Sequence, residues 1–460
     1  MSKYWIDKWE VENPSYWEAS GKSVATRNLI FSVFAEFLAF SVWQVWSATS
    51  VKIPEIGFRF TENELFWLAA IPGLAGATLR IPYALMVPIF GGRNWTLVST
   101  ALLLIPSIGI GLAIQNPATP YSTFAFLALL CGFGGGNFAS SMANINFFFP
   151  KRRKGFALGI NAAGGNIGVS IVQFTVPIVI TAGLFGALGG TSQTIMVKGV
   201  AQQVWLQNAA FIWIPFILIS LVTTWFFMNN LHVARSSLRE QLVMLKDKHA
   251  WIMSLLYMGT FGSFIGYSAG FPLLIKSQFP GINPLQYAFL GPLVGSIVRP
   301  IGGIIADKIG GARVTFWNFI LMALAVVGVI YFLGVKTEPH AFAGFFIMFM
   351  ILFVSAGIGN GSTYRMVPII YITENNKLVE KGEQTQTQAI NNANRESGVV
   401  VGITSAFAAY GAFFIPKSYG TSIRLTGGPQ SALYAFIGFY CLCIALTWYY
   451  YHRKKAEIPC

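Results

Sequence analysis

The stretch LFWLAAIPGLAGATLRIPYALMVPIF, residues 65–90, places one arginine, Arg80, inside an otherwise apolar run. A second run, YAFLGPLVGSIVRPIGGIIA, residues 287–306, carries Arg299 in the same way. Each run is long enough to cross the roughly 30 Å hydrocarbon layer as a helix. A proline follows each arginine within two residues (Pro82 and Pro300), and glycine pairs follow each run, as Gly91-Gly92-Arg93 and Gly310-Gly311-Ala312-Arg313. A charged side chain at the centre of a bilayer costs about 2.5–3.5 kcal/mol on the insertion scale. Two such charges in matching contexts call for a shared reason, and an anion bound by both supplies one.

The rest of the chain supports a membrane reading. Of 460 residues, 54% are hydrophobic and 10% charged, where a soluble domain carries about 25% charged residues. Twelve apolar spans are expected, at about 29–51, 65–90, 96–114, 121–149, 156–180, 204–228, 250–275, 285–306, 314–335, 341–370, 397–416 and 430–452. The polar stretch 229–249, with Arg235, Arg239 and Glu240, divides them six and six. The expected organisation is an N-terminal segment 1–28, a bundle 29–228, a linker 229–249, a bundle 250–452 and a tail 453–460. A further polar stretch, 371–396, is rich in Asn and Gln. With the N-terminus inside, 21 of the 31 Lys and Arg fall on inside segments, 7 on outside segments and 3 within spans. That bias predicts a multi-pass protein with both termini in the cytoplasm. It also accounts for the net charge of +14 without a nucleic-acid partner. The first 28 residues contain no apolar core of a cleavable leader.

The two halves repeat each other. Arg80 and Arg299 are 219 residues apart, and Gly132, Gly134 and Gly136 recur 225 residues later as Gly357, Gly359 and Gly361. Near-constant offsets across several spans indicate duplicated six-helix bundles. The expected fold class is therefore an all-α membrane protein resembling the major facilitator fold, with twelve transmembrane helices in two pseudo-symmetric bundles. Substrate sites in such folds lie near the midplane between the halves, where both arginines would face one cavity. Arginine suits a small planar oxyanion because its fork donates two parallel hydrogen bonds and keeps its charge. The glycine-rich stretches lack the GxGxxG spacing of nucleotide loops; within spans, glycines let helices or a substrate approach the backbone. No P-loop, catalytic triad or metal-ligand spacing occurs, and Cys131, Cys441, Cys443 and Cys460 read as packing residues. Neither enzyme chemistry nor a cofactor or metal is expected.

The segments GFGGGNFASSMANINFFFP (132–150) and GIGNGSTYRM (357–366) resemble the paired signatures of bacterial nitrate/nitrite porters of the NarK type. Similarity extends through 78–95, 251–271 and 411–420, over nearly the whole chain. By that resemblance, Arg80 and Arg299 match the two substrate-binding arginines. Phe138 and Phe261 match the aromatic pair that sandwiches the flat anion, Tyr257 and Asn166 match polar groups of the site, and Phe40 matches a further pocket aromatic. Gly92, Arg93, Asp307, Gly311 and Arg313 resemble the gating loops of the superfamily.

Two departures bear on coupling. Glu36 stands in the first span where family exchangers carry an apolar residue, and Arg365 stands in the second signature where they carry Gln. Spans one and ten should both line the cavity. The pair reads either as a structural ion pair or as a protonatable carboxylate tuned by Arg365. Moving one anion into a cell at about −150 mV costs roughly 3.5 kcal/mol, so import needs a coupled proton or an exchanged anion. The expected function is alternating-access transport of nitrate, with nitrite as a second candidate, across a bacterial inner membrane. Proton symport through Glu36 is the favoured mode and nitrate/nitrite antiport the alternative; an anion channel and a nitrate sensor are remote ones. The expected partners are the anion, protons and the lipid bilayer, and the expected assembly is a monomer.

Overall fold

The structure is a computed structural model that describes residues 4–197, 199–232 and 244–460. Arg235, Arg239 and Glu240 of the expected linker lie outside the described residues. Among the described residues, twelve helices are long and apolar enough to span a membrane. They are α1 (Pro14–Ile56), α2 (Glu62–Phe90), α3 (Gly92–Gln115), α4 (Tyr121–Phe148), α5 (Lys151–Val179), α6 (Asn208–Phe227), α7 (Lys248–Gln278), α8 (Pro284–Ile309), α9 (Gly311–Gly334), α10 (Ala341–Glu380), α11 (Gln386–Thr426) and α12 (Gln430–His452). Large apolar side chains such as Leu112, Phe126, Ile219, Phe226 and Leu324 are exposed. Helices bond their own backbone, so such side chains can face lipid at no polar cost. The protein is a multi-pass membrane protein.

Short strands supplement the helices. Strands β2 (Gln193–Val197) and β3 (Val200–Val204) form an antiparallel hairpin between α5 and α6, while β1 (Trp5–Ile6) pairs in parallel with β4 (Asn230–Leu231). The polar stretch 371–396 is largely helical. α10 continues through it to Glu380, and α11 begins at Gln386 behind a capping box in which Thr385 and Gln388 satisfy each other's backbone N–H. At 40 residues, α10 is about 60 Å long, about twice the hydrocarbon thickness. Its polar end therefore needs no apolar surroundings.

The residues cluster into two compact units, Met1–Ser236 with Ser268–Phe289, and Ser237–Tyr267 with Leu290–Cys460. The second half of α7 thus belongs with the first unit. Its polar groups are satisfied there: Gln173 donates to the Ser268 carbonyl at 2.7 Å, and Ser170 donates to the Phe289 carbonyl at 2.9 Å. The Lys276 ammonium bonds the Val51 carbonyl, and also Glu55 at 2.8 Å.

In each unit the arginine-bearing helix crosses the glycine-signature helix at close range. A methyl group at Gly135 of α4 would lie 2.7 Å from the Gly76 Cα of α2 and 2.5 Å from the Trp43 ring. In the second unit, a methyl at Gly361 of α10 would lie 2.3 Å from the Arg299 carbonyl oxygen of α8. Small residues allow such crossings, and dispersion between backbones then holds the helices together. Gly361→Ala should separate α8 from α10 and destabilise the protein by about 1–3 kcal/mol. Thermal unfolding in detergent measures it, and an unchanged midpoint would refute the close crossing.

Candidate functional site

Arg80 is 1% exposed. Its Nε donates to the Gly135 carbonyl at 3.1 Å, a bond that the close α2–α4 crossing makes possible. The guanidinium carbon lies 4.6 Å from the Phe138 ring centroid and 5.6 Å from that of Trp43. Cation–π contact of this kind stabilises a desolvated cation by up to about 2 kcal/mol. Phe40 packs against both rings, at centroid distances of 6.0 Å to Phe138 and 5.1 Å to Trp43. Phe40, Trp43, Phe138 and Arg80 therefore form one buried cluster.

Glu36, on α1, is fully buried in the same unit. Its Oε2 accepts from Asn137 Nδ2 at 3.4 Å, and the Ser141 hydroxyl and the charge of Arg80 also act on it. Its Oε1 has no hydrogen-bond partner. Asn137 is held in turn by Ser99, whose hydroxyl donates to Asn137 Oδ1 at 2.7 Å. Ser141 accepts from Asn161 Nδ2 at 2.5 Å and shares a hydrogen bond with Ser32 at 3.1 Å. α5 approaches this cluster closely: a methyl at Gly165 would lie 3.0 Å from Glu36 Cγ and 3.3 Å from the Phe40 ring. The next residue, Asn166, is fully buried, and neither polar atom of its side chain has a hydrogen-bond partner.

The second unit centres on Arg299, 7% exposed. Its Nη2 donates to the Tyr257 hydroxyl at 3.3 Å, and Nη1 has no hydrogen-bond partner. The Tyr257 and Phe261 rings stack at 5.5 Å with an interplanar angle of 17°. Phe261 lies in a π-helical turn, Met258–Gly262, a backbone feature that often marks functional positions. Tyr364 of α10 completes the group, with its ring centroid 5.9 Å from the Arg299 guanidinium carbon and 6.2 Å from Tyr257. Among the described residues no carboxylate forms a salt bridge with Arg299.

The six signature glycines sit at helix contacts. Methyls at Gly132, Gly134 and Gly136 would meet Ala75, the Ala39 carbonyl and Leu79, and those at Gly357, Gly359 and Gly361 would meet the Gly295 carbonyl, Asn318 and the Arg299 carbonyl. The two loops after α2 and α8 share a backbone device, with φ of +84° at Gly91 and +94° at Gly310. Only glycine adopts that conformation readily. A methyl at Gly92 would strike Asn144 of α4, and one at Gly311 would strike Met366 of α10. Arg93 is buried; it donates to the Trp225 carbonyl at 2.6 Å and lies 3.9 Å from the Tyr4 ring centroid. In each unit the chain after the sixth helix caps the helix that follows the loop. Asn230 accepts from the Arg93 backbone N–H at 2.9 Å, and the Cys460 carbonyl accepts from that of Ala312 at 2.9 Å. Arg313 is exposed.

Arg365 has a different neighbour from the one expected. It forms an ion pair with Asp307 in its own unit, and both side chains are about half exposed. The cation acting on Glu36 is Arg80. Position 365 lies one residue beyond the α10 face that carries Tyr364, so its long side chain reaches the end of α8. Trp43, Tyr364, Asn137 and Ser141 also belong to these clusters and were not singled out in the sequence. Tyr364 stands inside the quoted signature, and Trp43 follows Phe40 by three residues, so helical spacing could have found both. Arg365→Gln should change stability by less than about 1 kcal/mol, as for other exposed ion pairs. Chemical or thermal unfolding measures this, and a larger loss would show the pair to be structurally central.

Comparison with known proteins bears on the family of the chain. The Major Facilitator Superfamily model matches residues 29–416. The chain is 47% identical to the nitrate/nitrite transporter NarU of Salmonella typhimurium, over 99% of this chain and 98% of that one. It is 42% identical to the probable nitrate/nitrite antiporter NarK2 of Thermus thermophilus, over 99% and 98%. Among solved structures, a bacterial homolog of the lysosomal transporter Spinster superposes with a TM-score of 0.63 at 15% identity, covering 91% of this chain and 95% of that one. That last likeness reports the fold alone. The chain belongs to the major facilitator superfamily and, within it, to the NarK-type nitrate/nitrite porters.

Proposed function

We propose that the protein carries nitrate, and nitrite as a second substrate, across a bacterial inner membrane by alternating access, as a monomer with both termini in the cytoplasm. The observation that carries this reading is the pair of buried arginines, each set among aromatic rings, at repeated positions. A flat monovalent oxyanion accepts parallel hydrogen bonds at its edges and stacks against rings at its faces. In the proposed roles Arg80 and Arg299 clamp the anion, Phe138 and Phe261 cover its faces, and Tyr257, Asn166 and Phe40 complete the surroundings. The glycine loops Gly91–Arg93 and Asp307–Arg313, with the Asp307–Arg365 pair, serve the conformational change.

Coupling rests on charge balance. Glu36 is a buried carboxylate on which the Arg80 charge acts. Burial disfavours the ionised form of Glu36 and the Arg80 charge favours it, so whatever withdraws Arg80 from Glu36 tips the carboxyl toward its neutral form. An arriving anion adds a negative charge that competes with ionised Glu36 for Arg80, so proton uptake by Glu36 favours anion binding. By linkage, anion binding favours proton uptake by the same factor. The two are then loaded together, which is symport, and one proton per nitrate cancels the cost of moving the anion against the membrane potential. The second reading, exchange of nitrate for nitrite, is favoured by the relative named a probable antiporter; exchange is electrically neutral without any titration.

Two outcomes follow. In proteoliposomes, nitrate uptake should rise several-fold when the outside is made acidic. Uptake that ignores the gradient but requires internal nitrite would replace symport by exchange. Nitrate affinity of the purified protein should tighten as pH falls, because protonation removes the competing carboxylate. Glu36→Gln should bind nitrate tightly at every pH and lose the response of uptake to the gradient. A Glu36→Gln protein with wild-type pH dependence would remove Glu36 from the mechanism.

A further inference from the structure

Asn360 stands within the second signature, yet neither the gating loops nor the aromatic cluster uses it. It is 1% exposed, and neither its Nδ2 nor its Oδ1 has a hydrogen-bond partner. The other buried asparagines of the second unit differ: Asn375 donates to Glu396 at 2.7 Å and to the Tyr371 carbonyl at 3.0 Å, and Asn318 donates to the Met322 sulfur at 3.6 Å. Burying an amide unpaired costs about 1–3 kcal/mol. Such a group is retained where a ligand or an ordered water satisfies it.

The helical phase of α10 says where Asn360 points. Gly359 packs on Thr260 of α7 and on Asn318 of α9, and Gly361 packs on the Arg299 backbone of α8. Successive helical residues are separated by about 100°, so Asn360 projects into the wedge between α7 and α8. Tyr364, one turn further on and about 40° away, has its ring beside the Arg299 guanidinium and Tyr257. Tyr364 is thus the link between Asn360, one turn before it, and an Arg299 whose Nη1 also has no hydrogen-bond partner. Two unsatisfied donors, one cationic and one neutral, therefore lie near the same face of α10, the one that carries Tyr364. Phe353 lies on the same face of α10, two turns before Asn360, against Phe264 at 6.4 Å. The wedge is thus closed by apolar rings at that end, which favours a compact anion over a larger polar solute.

We infer that the Asn360 carboxamide is a second donor to the oxyanion held by Arg299. The inference rests on the nitrate reading above and adds a binding residue to it. The first unit offers a parallel, because Asn166 is also buried with both polar atoms unsatisfied. Each unit then supplies one guanidinium and one carboxamide.

Isothermal titration of the purified full-length protein with sodium nitrate tests this, with unfolding of the nitrate-free protein as a parallel readout. Asn360→Ala should weaken nitrate binding roughly tenfold or more, as for loss of a hydrogen bond to a charged group, while leaving the unfolding temperature unchanged or raised. The near-isosteric Asn360→Asp places a carboxylate beside the anion. It should abolish binding, and it carries the test should the alanine variant not fold. Wild-type affinity in either variant overturns the inference, as does an Asn360→Ala protein that loses stability and keeps its affinity. Wild-type protein that binds no nitrate would instead overturn the nitrate reading itself.

Discussion

The structure depends on burying two guanidinium groups inside apolar helices. Neither cation can be left bare, and neither can be moved to the helix end by its own side chain. The surroundings are built to hold each one. Arg80 has a backbone acceptor at Gly135 and two aromatic faces, from Phe138 and Trp43. Arg299 has the Tyr257 hydroxyl and the Tyr364 ring. The glycine signatures follow from the same constraint. A side chain at Gly135 or Gly361 would force the signature helix away from the arginine-bearing helix, and at Gly135 the Arg80 acceptor would move with it. Read this way, the signature glycines serve the arginines through helix packing and need not touch substrate.

The two units are alike in plan and different in charge. Arg80 acts on a buried carboxylate, Glu36, whereas Arg299 has hydroxyl and ring neighbours and, among the described residues, no carboxylate in a salt bridge. Titration within the transport site is therefore proposed for the first unit alone. The network around Glu36 suits that role, because Asn137 and Ser141 are held from behind by Ser99, Ser32 and Asn161. A carboxyl group fixed in this way changes charge with little rearrangement of its neighbours. The Asp307–Arg365 pair has a different character: half exposed and close to the α8–α9 loop, it suits a contact that forms and breaks during a conformational cycle.

The architecture was legible because it follows from period and composition. Long apolar runs, a 219-residue offset between Arg80 and Arg299 and alternating basic loops led to twelve helices in duplicated bundles, and the chain belongs to the superfamily so expected. Helix ends beyond the apolar runs were harder. The stretch 371–396 is polar because it extends past the hydrocarbon, and its helicity was signalled only by the Thr385–Gln388 capping box. The partition of residues between units was not legible either, since the assignment of Ser268–Phe289 depends on long-range bonds from Ser170, Gln173 and Lys276. Arg365 shows the limit of residue-type reasoning. An acid and a base that both depart from the family pattern suggested a pair, but the reach of an arginine on α10 ends at Asp307.

Binding stoichiometry tests most directly the proposal that Arg80 and Arg299 serve one anion. Isothermal titration of the purified protein with nitrate is predicted to give one site per chain. Arg80→Ala and Arg299→Ala should each abolish that site by themselves. Two nitrates per chain, or wild-type affinity surviving in either single variant, would contradict the account.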